Sequence, residues 1–160
     1  MRRFFYAVEG VVASLFRLGL IINPVAGVGG AVALKGSDGV VEQALALGAV
    51  PQAQNKTALA LEQLLPLKDQ LQILTVAGAM GADLLASLGF NFQICYTPSS
   101  TQTTAEDTEQ AALAIAEQGV DLLLFDYHLD QGATGVEVAM QLQQHYALQV
   151  PVLIHSADQQ

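Results

Sequence analysis

Apolar residues recur along this chain in short unbroken runs separated by segments of helical spacing. Leu18-Gly-Leu-Ile-Ile-Asn23, Leu71-Gln-Ile-Leu-Thr-Val-Ala77, Phe92-Gln-Ile-Cys-Tyr96, residues 120–125 and residues 150–155 each read as a strand. Their apolar residues do not alternate with polar ones, which is the pattern of strands covered on both faces. Between them lie helix-like segments. Residues 40–47 are closed by Gly48, and residues 57–65 carry Leu61, Leu64 and Leu65 before Pro66. Met80, Leu84, Leu85 and Leu88 share one helical face ahead of Gly89. Residues 104–118 end at Gly119, and Val138, Leu142 and Tyr146 mark a stripe on residues 136–146. Residues 51–55 read as a polar connector. Strand and helix alternate without a repeat or a linker, which predicts an α/β fold: one doubly wound parallel sheet, flavodoxin-like or Rossmann-like, of about five strands. Residues 1–17 are expected to be an extension, disordered or an overlong start, and residues 18–160 a single domain.

Composition supports a sheet buried on both faces, since 52% of the 160 residues are hydrophobic and only 13% charged. A net charge of -9 and a pI near 4.4 argue against nucleic acid or an anionic membrane as partner, because both select clustered Lys and Arg. Arg2, Arg3 and Arg17 precede the first expected strand, and the apolar stretch behind Arg2-Arg3 is interrupted by Glu9 and too short to span a bilayer. The single Cys95 cannot staple the chain, as expected of a cytoplasmic protein.

In a doubly wound sheet ligands gather outside the carboxyl ends of the strands. Asn23, Gly78, Thr97, Asp126 and Ser156 are therefore expected to share one edge. Two of these places have local patterns with more than one reading. The turn Pro24-Val-Ala-Gly-Val-Gly-Gly30 can bring backbone N–H groups toward an anion or serve as a plain structural turn. Its spacing meets neither G-x-G-x-x-G nor a P-loop. Lys35 is the cation nearest that turn in sequence, and reads either as a phosphate contact or as a solvated lysine. The hydroxyl-rich tail Thr97-Pro-Ser-Ser-Thr-Gln-Thr-Thr104 either binds phosphate or caps the following helix through Thr103 and Glu106.

Two segments resemble known families. Leu18-Gly-Leu-Ile-Ile-Asn-Pro-Val-Ala-Gly-Val-Gly-Gly30, with Leu34-Lys-Gly-Ser-Asp-Gly39 behind it, resembles the opening of the ATP-NAD kinase family, and the likeness extends over residues 15–125. It implies a nucleotide-binding domain for ATP or NAD, with Asn23, Gly27, Gly29 and Gly30 lining a phosphate pocket. In that family the strand matching Leu122-Leu-Leu-Phe125 runs into a Gly-Gly-Asp-Gly-Thr turn that supplies a catalytic aspartate, and a further domain follows. This chain has Asp126-Tyr-His-Leu-Asp-Gln-Gly132 there and stops at Gln160. Phosphoryl transfer rests on positioned electrostatic groups, so a truncated domain without NAD kinase activity is expected.

Asp121-Leu-Leu-Leu-Phe-Asp-Tyr-His-Leu-Asp-Gln-Gly-Ala-Thr-Gly135 and Val150-Pro-Val-Leu-Ile-His-Ser-Ala-Asp158 resemble the second half of response-regulator receivers of the hybrid-histidine-kinase type. This resemblance implies an atypical receiver in a phosphorelay, in which Asp126 accepts a phosphoryl group from a histidine-kinase phosphodonor. His128 would offer its backbone carbonyl to Mg²⁺, and Ser156 would contact the acyl phosphate. Thr134 and Glu137 suggest a capping box for the helix between. If residues 71–77 stand for the receiver's first strand, that strand ends in Ala77-Gly-Ala-Met80 with no acidic pair, so Mg²⁺ at Asp126 would be loosely held. Asp126 also reads as a loop acid that satisfies backbone N–H groups. The chain is thus expected to be a chimera of a kinase-like front and a receiver-like back sharing one sheet.

Overall fold

A computed structural model of the chain describes residues 5–8, 11–24, 52–100, 103–126, 135–146 and 149–155. Residues 5–14, expected to be an extension, contain strands β1 (Phe5–Val8) and β2 (Val11–Ser14), paired antiparallel with Phe5 opposite Ser14. The main sheet follows. Its strands are β3 (Phe16–Leu20), β4 (Leu71–Val76), β5 (Phe92–Tyr96), β6 (Leu122–Asp126) and β7 (Val152–His155). The order across the sheet is β5-β4-β3-β6-β7 and every pairing is parallel. Numbered from β3, this is 3-2-1-4-5, the Rossmann order and not the flavodoxin order 2-1-3-4-5. Arg17 lies inside β3 and not ahead of it.

Four helices among the described residues cover the two faces: α1 (Gln52–Leu64), α2 (Ala82–Leu88), α3 (Ala105–Glu117) and α4 (Gly135–Tyr146). Successive strand residues point to opposite faces, and the core divides accordingly. Leu20, Ile22 and Ile73 pack with Ala53 and Leu61 of α1 and Leu85 of α2. Ile21, Leu74, Leu123 and Phe125 pack with Ile115 of α3 and Leu142 of α4. Each large side chain buried in these layers contributes about 1.5–3 kcal/mol relative to exposure, so unbroken apolar runs are what a two-sided sheet requires. Gly19 permits a close contact between the layers. A Cβ there would lie 2.7 Å from Ile115 Cγ2 and 2.8 Å from Leu123 Cδ1, so α3 rests directly on the backbone of the central strand.

Two helix boundaries differ from the sequence expectation. The segment read as a polar connector is the first turn of α1, because Ala53 is buried and starts the stripe that continues to Leu61. Its Gln and Asn residues resemble a loop, and the single small anchor is easily overlooked. Pro66 does follow the helix, at the start of a 3₁₀ turn, Leu65–Gln70. Met80 does not join the leucines of the next helix. It ends a separate 3₁₀ turn, Gly78–Met80, and packs with Ile21 and Leu74, while Leu85 packs on the other face.

Gly81 is the reason for the break. Its φ of +154° is disfavoured for L side chains, and a Cβ would come within 2.0 Å of Thr75 Oγ1. Thr75, fully buried in β4, donates that hydroxyl to the Leu20 carbonyl at 2.8 Å. One residue earlier in the turn, the Met80 carbonyl accepts the Ile22 N–H at 3.0 Å. The turn is thus tied to the end of β3 by its backbone and pressed on Thr75 by its glycine. Gly81→Ala is expected to destabilise the chain by more than about 2 kcal/mol in urea unfolding, through combined strain and overpacking; an unchanged midpoint would contradict the contact.

Candidate functional site

The chain leaves β3 toward β4 on one side, through α1, and leaves β6 toward β7 on the other, through α4. The two connections run to opposite faces. Between the carboxyl ends of β3 and β6 the strand order reverses, which is the place where open α/β sheets form a ligand crevice. The register is set by Leu18 opposite Leu122 and Leu20 opposite Leu124, and is continued by Ile21 N–H to the Leu124 carbonyl at 2.9 Å. Asn23, buried at 8% exposure, follows directly on one side, and Asp126 ends β6 on the other. Gly78 and Thr97 follow β4 and β5 on the same edge, and the Ala77 N–H extends the ladder to the Tyr96 carbonyl at 2.9 Å.

Of the residues singled out in the sequence, the structure thus places Asn23 and Asp126 at the carboxyl ends of the adjacent strands β3 and β6. Asp126 also pairs across the sheet with His155 of β7. Gly27, Gly29, Gly30, Lys35, His128, Thr134 and Ser156 lie outside the described residues, as does the expected helix over residues 40–47. The strand beside β6 is β3 and not β4, so residues 71–77 do not stand where a receiver's first strand would flank its acceptor. The flanking strand runs into Ile22-Asn23-Pro24, again without a carboxylate. Among the described residues no three His, Cys, Asp or Glu side chains cluster to hold a metal ion.

On the α1 face of this junction lies a cleft of about 60 Å³. Leu20, Ile22 and Leu124 line it from the sheet, and Lys56 and Thr57 come from α1. This volume holds a few water molecules and is well below the roughly 300–1,000 Å³ of a whole small-molecule site. The β4 side is closed: the Gly78–Met80 turn takes the Ile22 N–H, and Gln54 Nε2 holds that turn to α1 by donating to the Ala79 carbonyl at 3.2 Å. Lys56 was not legible as a site residue while residues 51–55 read as a connector. Ala53, Lys56, Thr57 and Ala60 at i, i+3, i+4 and i+7 are the signal that places it on the inner face.

Two other acids have structural work. Asp121 opens the 121–126 stretch at the opposite, amino edge, where its Oδ2 accepts the Arg17 N–H at 2.9 Å and its own N–H returns to the Arg17 carbonyl at 2.8 Å. Asp107 occupies the start of α3. The capping box expected at Thr103 and Glu106 forms one residue later: Asp107 N–H donates to Thr104 Oγ1 at 3.2 Å, and Asp107 Oδ2 accepts the Thr104 N–H at 2.9 Å. Tyr96 decides the shift, because its hydroxyl donates to Asp107 Oδ1 at 2.9 Å from the end of β5. An anion at this helix start would meet the Asp107 carboxylate, so the geometry favours capping over phosphate binding.

No helix among the described residues is long and apolar enough to cross a membrane. Compared with protein-family models, with curated protein sequences and with solved structures, the chain has no match.

Burial of Asp107 works against ionisation, but hydrogen bonds from the Thr104 N–H, the Tyr96 hydroxyl and the Thr104 hydroxyl outweigh it and hold the carboxyl below its ordinary range. The hydrogen bond to Asp107, with burial and the nearby Asp107 and Glu106 charges behind it, raises the Tyr96 hydroxyl in turn. A depressed carboxyl contributes stability that is complete above the unfolded value of about 3.9 and is lost as pH falls through the folded value. Denaturant melts from pH 6 to pH 2 are expected to show a smaller acid-side loss for Asp107→Asn than for the parent chain. Parallel curves would remove the assignment.

Proposed function

We propose that this chain is a nucleotide-binding α/β module whose ligand's phosphates approach the crevice between the carboxyl ends of β3 and β6. The observation that carries this reading is the reversal of strand order at β3 and β6, which puts the Asn23 turn beside the end of the Asp126 strand. The resemblance of residues 18–39 to the ATP-NAD kinase opening supports ATP or NAD as the ligand, with Asn23, Gly27, Gly29 and Gly30 on the phosphate side. Binding without phosphoryl transfer is proposed, because Phe125 leads into Asp126-Tyr-His-Leu where the family carries Gly-Gly-Asp-Gly-Thr. Nucleotide binding also agrees with a cytoplasmic location.

One observation favours a second reading. Asp126 ends a strand flanked on both sides, and its partner His155 immediately precedes Ser156. An acceptor acid and a hydroxyl on neighbouring strand ends are what a receiver uses to take and sense a phosphoryl group. The strand on the other side, ending at Asn23-Pro24, supplies no acid for Mg²⁺, so the nucleotide reading is preferred.

Calorimetric titration of the full chain with ATP and with NAD is expected to show saturable binding to one of them, weakened at least about tenfold by Gly27→Val or Gly29→Val through loss of backbone approach. Absence of binding to both would overturn the first reading. Incubation with acetyl phosphate and Mg²⁺ separates the second: on the preferred reading intact-mass analysis shows no adduct. One hydroxylamine-labile phosphoryl group, absent from Asp126→Asn, would establish the receiver chemistry instead.

A further inference from the structure

We draw no further inference here: the strongest candidate, the apolar sheet face that carries the partly buried Leu124 and its exposed cross-strand partner Leu153 on the α1 side of β6 and β7, carries nothing because nothing among the described residues shows what covers it.

Discussion

The central strand β3 is held on four sides, and the arrangement of the carboxyl edge depends on that enclosure. Ladders to β4 and β6 satisfy its two backbone edges, Ile115 of α3 rests on Gly19 from one face, and α1 with α2 encloses Leu20 and Ile22 from the other. Buried backbone groups must find partners. Beyond the β4 ladder, Ile22 N–H goes to the Met80 carbonyl and the Leu20 carbonyl also receives the Thr75 hydroxyl. The strand consequently has one path and one exit, and Asn23 emerges beside β6 at a defined height.

Chemistry along that edge is divided by the same contacts. The β4 side is filled by the Gly78–Met80 turn, and the start of α3 beyond β5 is occupied by the Asp107 carboxylate under the Tyr96 hydroxyl. Among the described residues, what remains open is the junction where the order turns back, with apolar residues of the sheet beneath it, Lys56 and Thr57 of α1 along it and the end of the Asp126 strand beside it. Asp107 and Asp121 are thus engaged at a helix cap and in the lacing of the amino edge, and the described lining of this cleft contains no acid.

Much of the layering was legible in the residues. Leu71–Val76, Phe92–Tyr96 and Leu122–Asp126 announce themselves as strands through short runs rich in apolar residues, and Gly89 with φ +74° closes α2 where a left-handed cap was expected. Boundaries were less legible wherever one distant contact outweighs local pattern. The Tyr96 hydroxyl selects Thr104 over Thr103 as the cap, and the clash that Gly81 avoids with Thr75 parts Met80 from the leucines that match its spacing.

Local pattern, which needs only period and composition, was enough for a two-sided parallel sheet, since short apolar runs alternating with segments of helical spacing fit strands covered on both faces. It could not choose between the Rossmann and flavodoxin orders, because both present the same strands in the same succession and differ only in which side of β3 each strand joins. That choice belongs to long-range packing: it set β3 beside β6, so that Asn23 and Asp126 follow or end adjacent strands and Lys56 lines the cleft on the α1 face, through pairings between residues about a hundred positions apart.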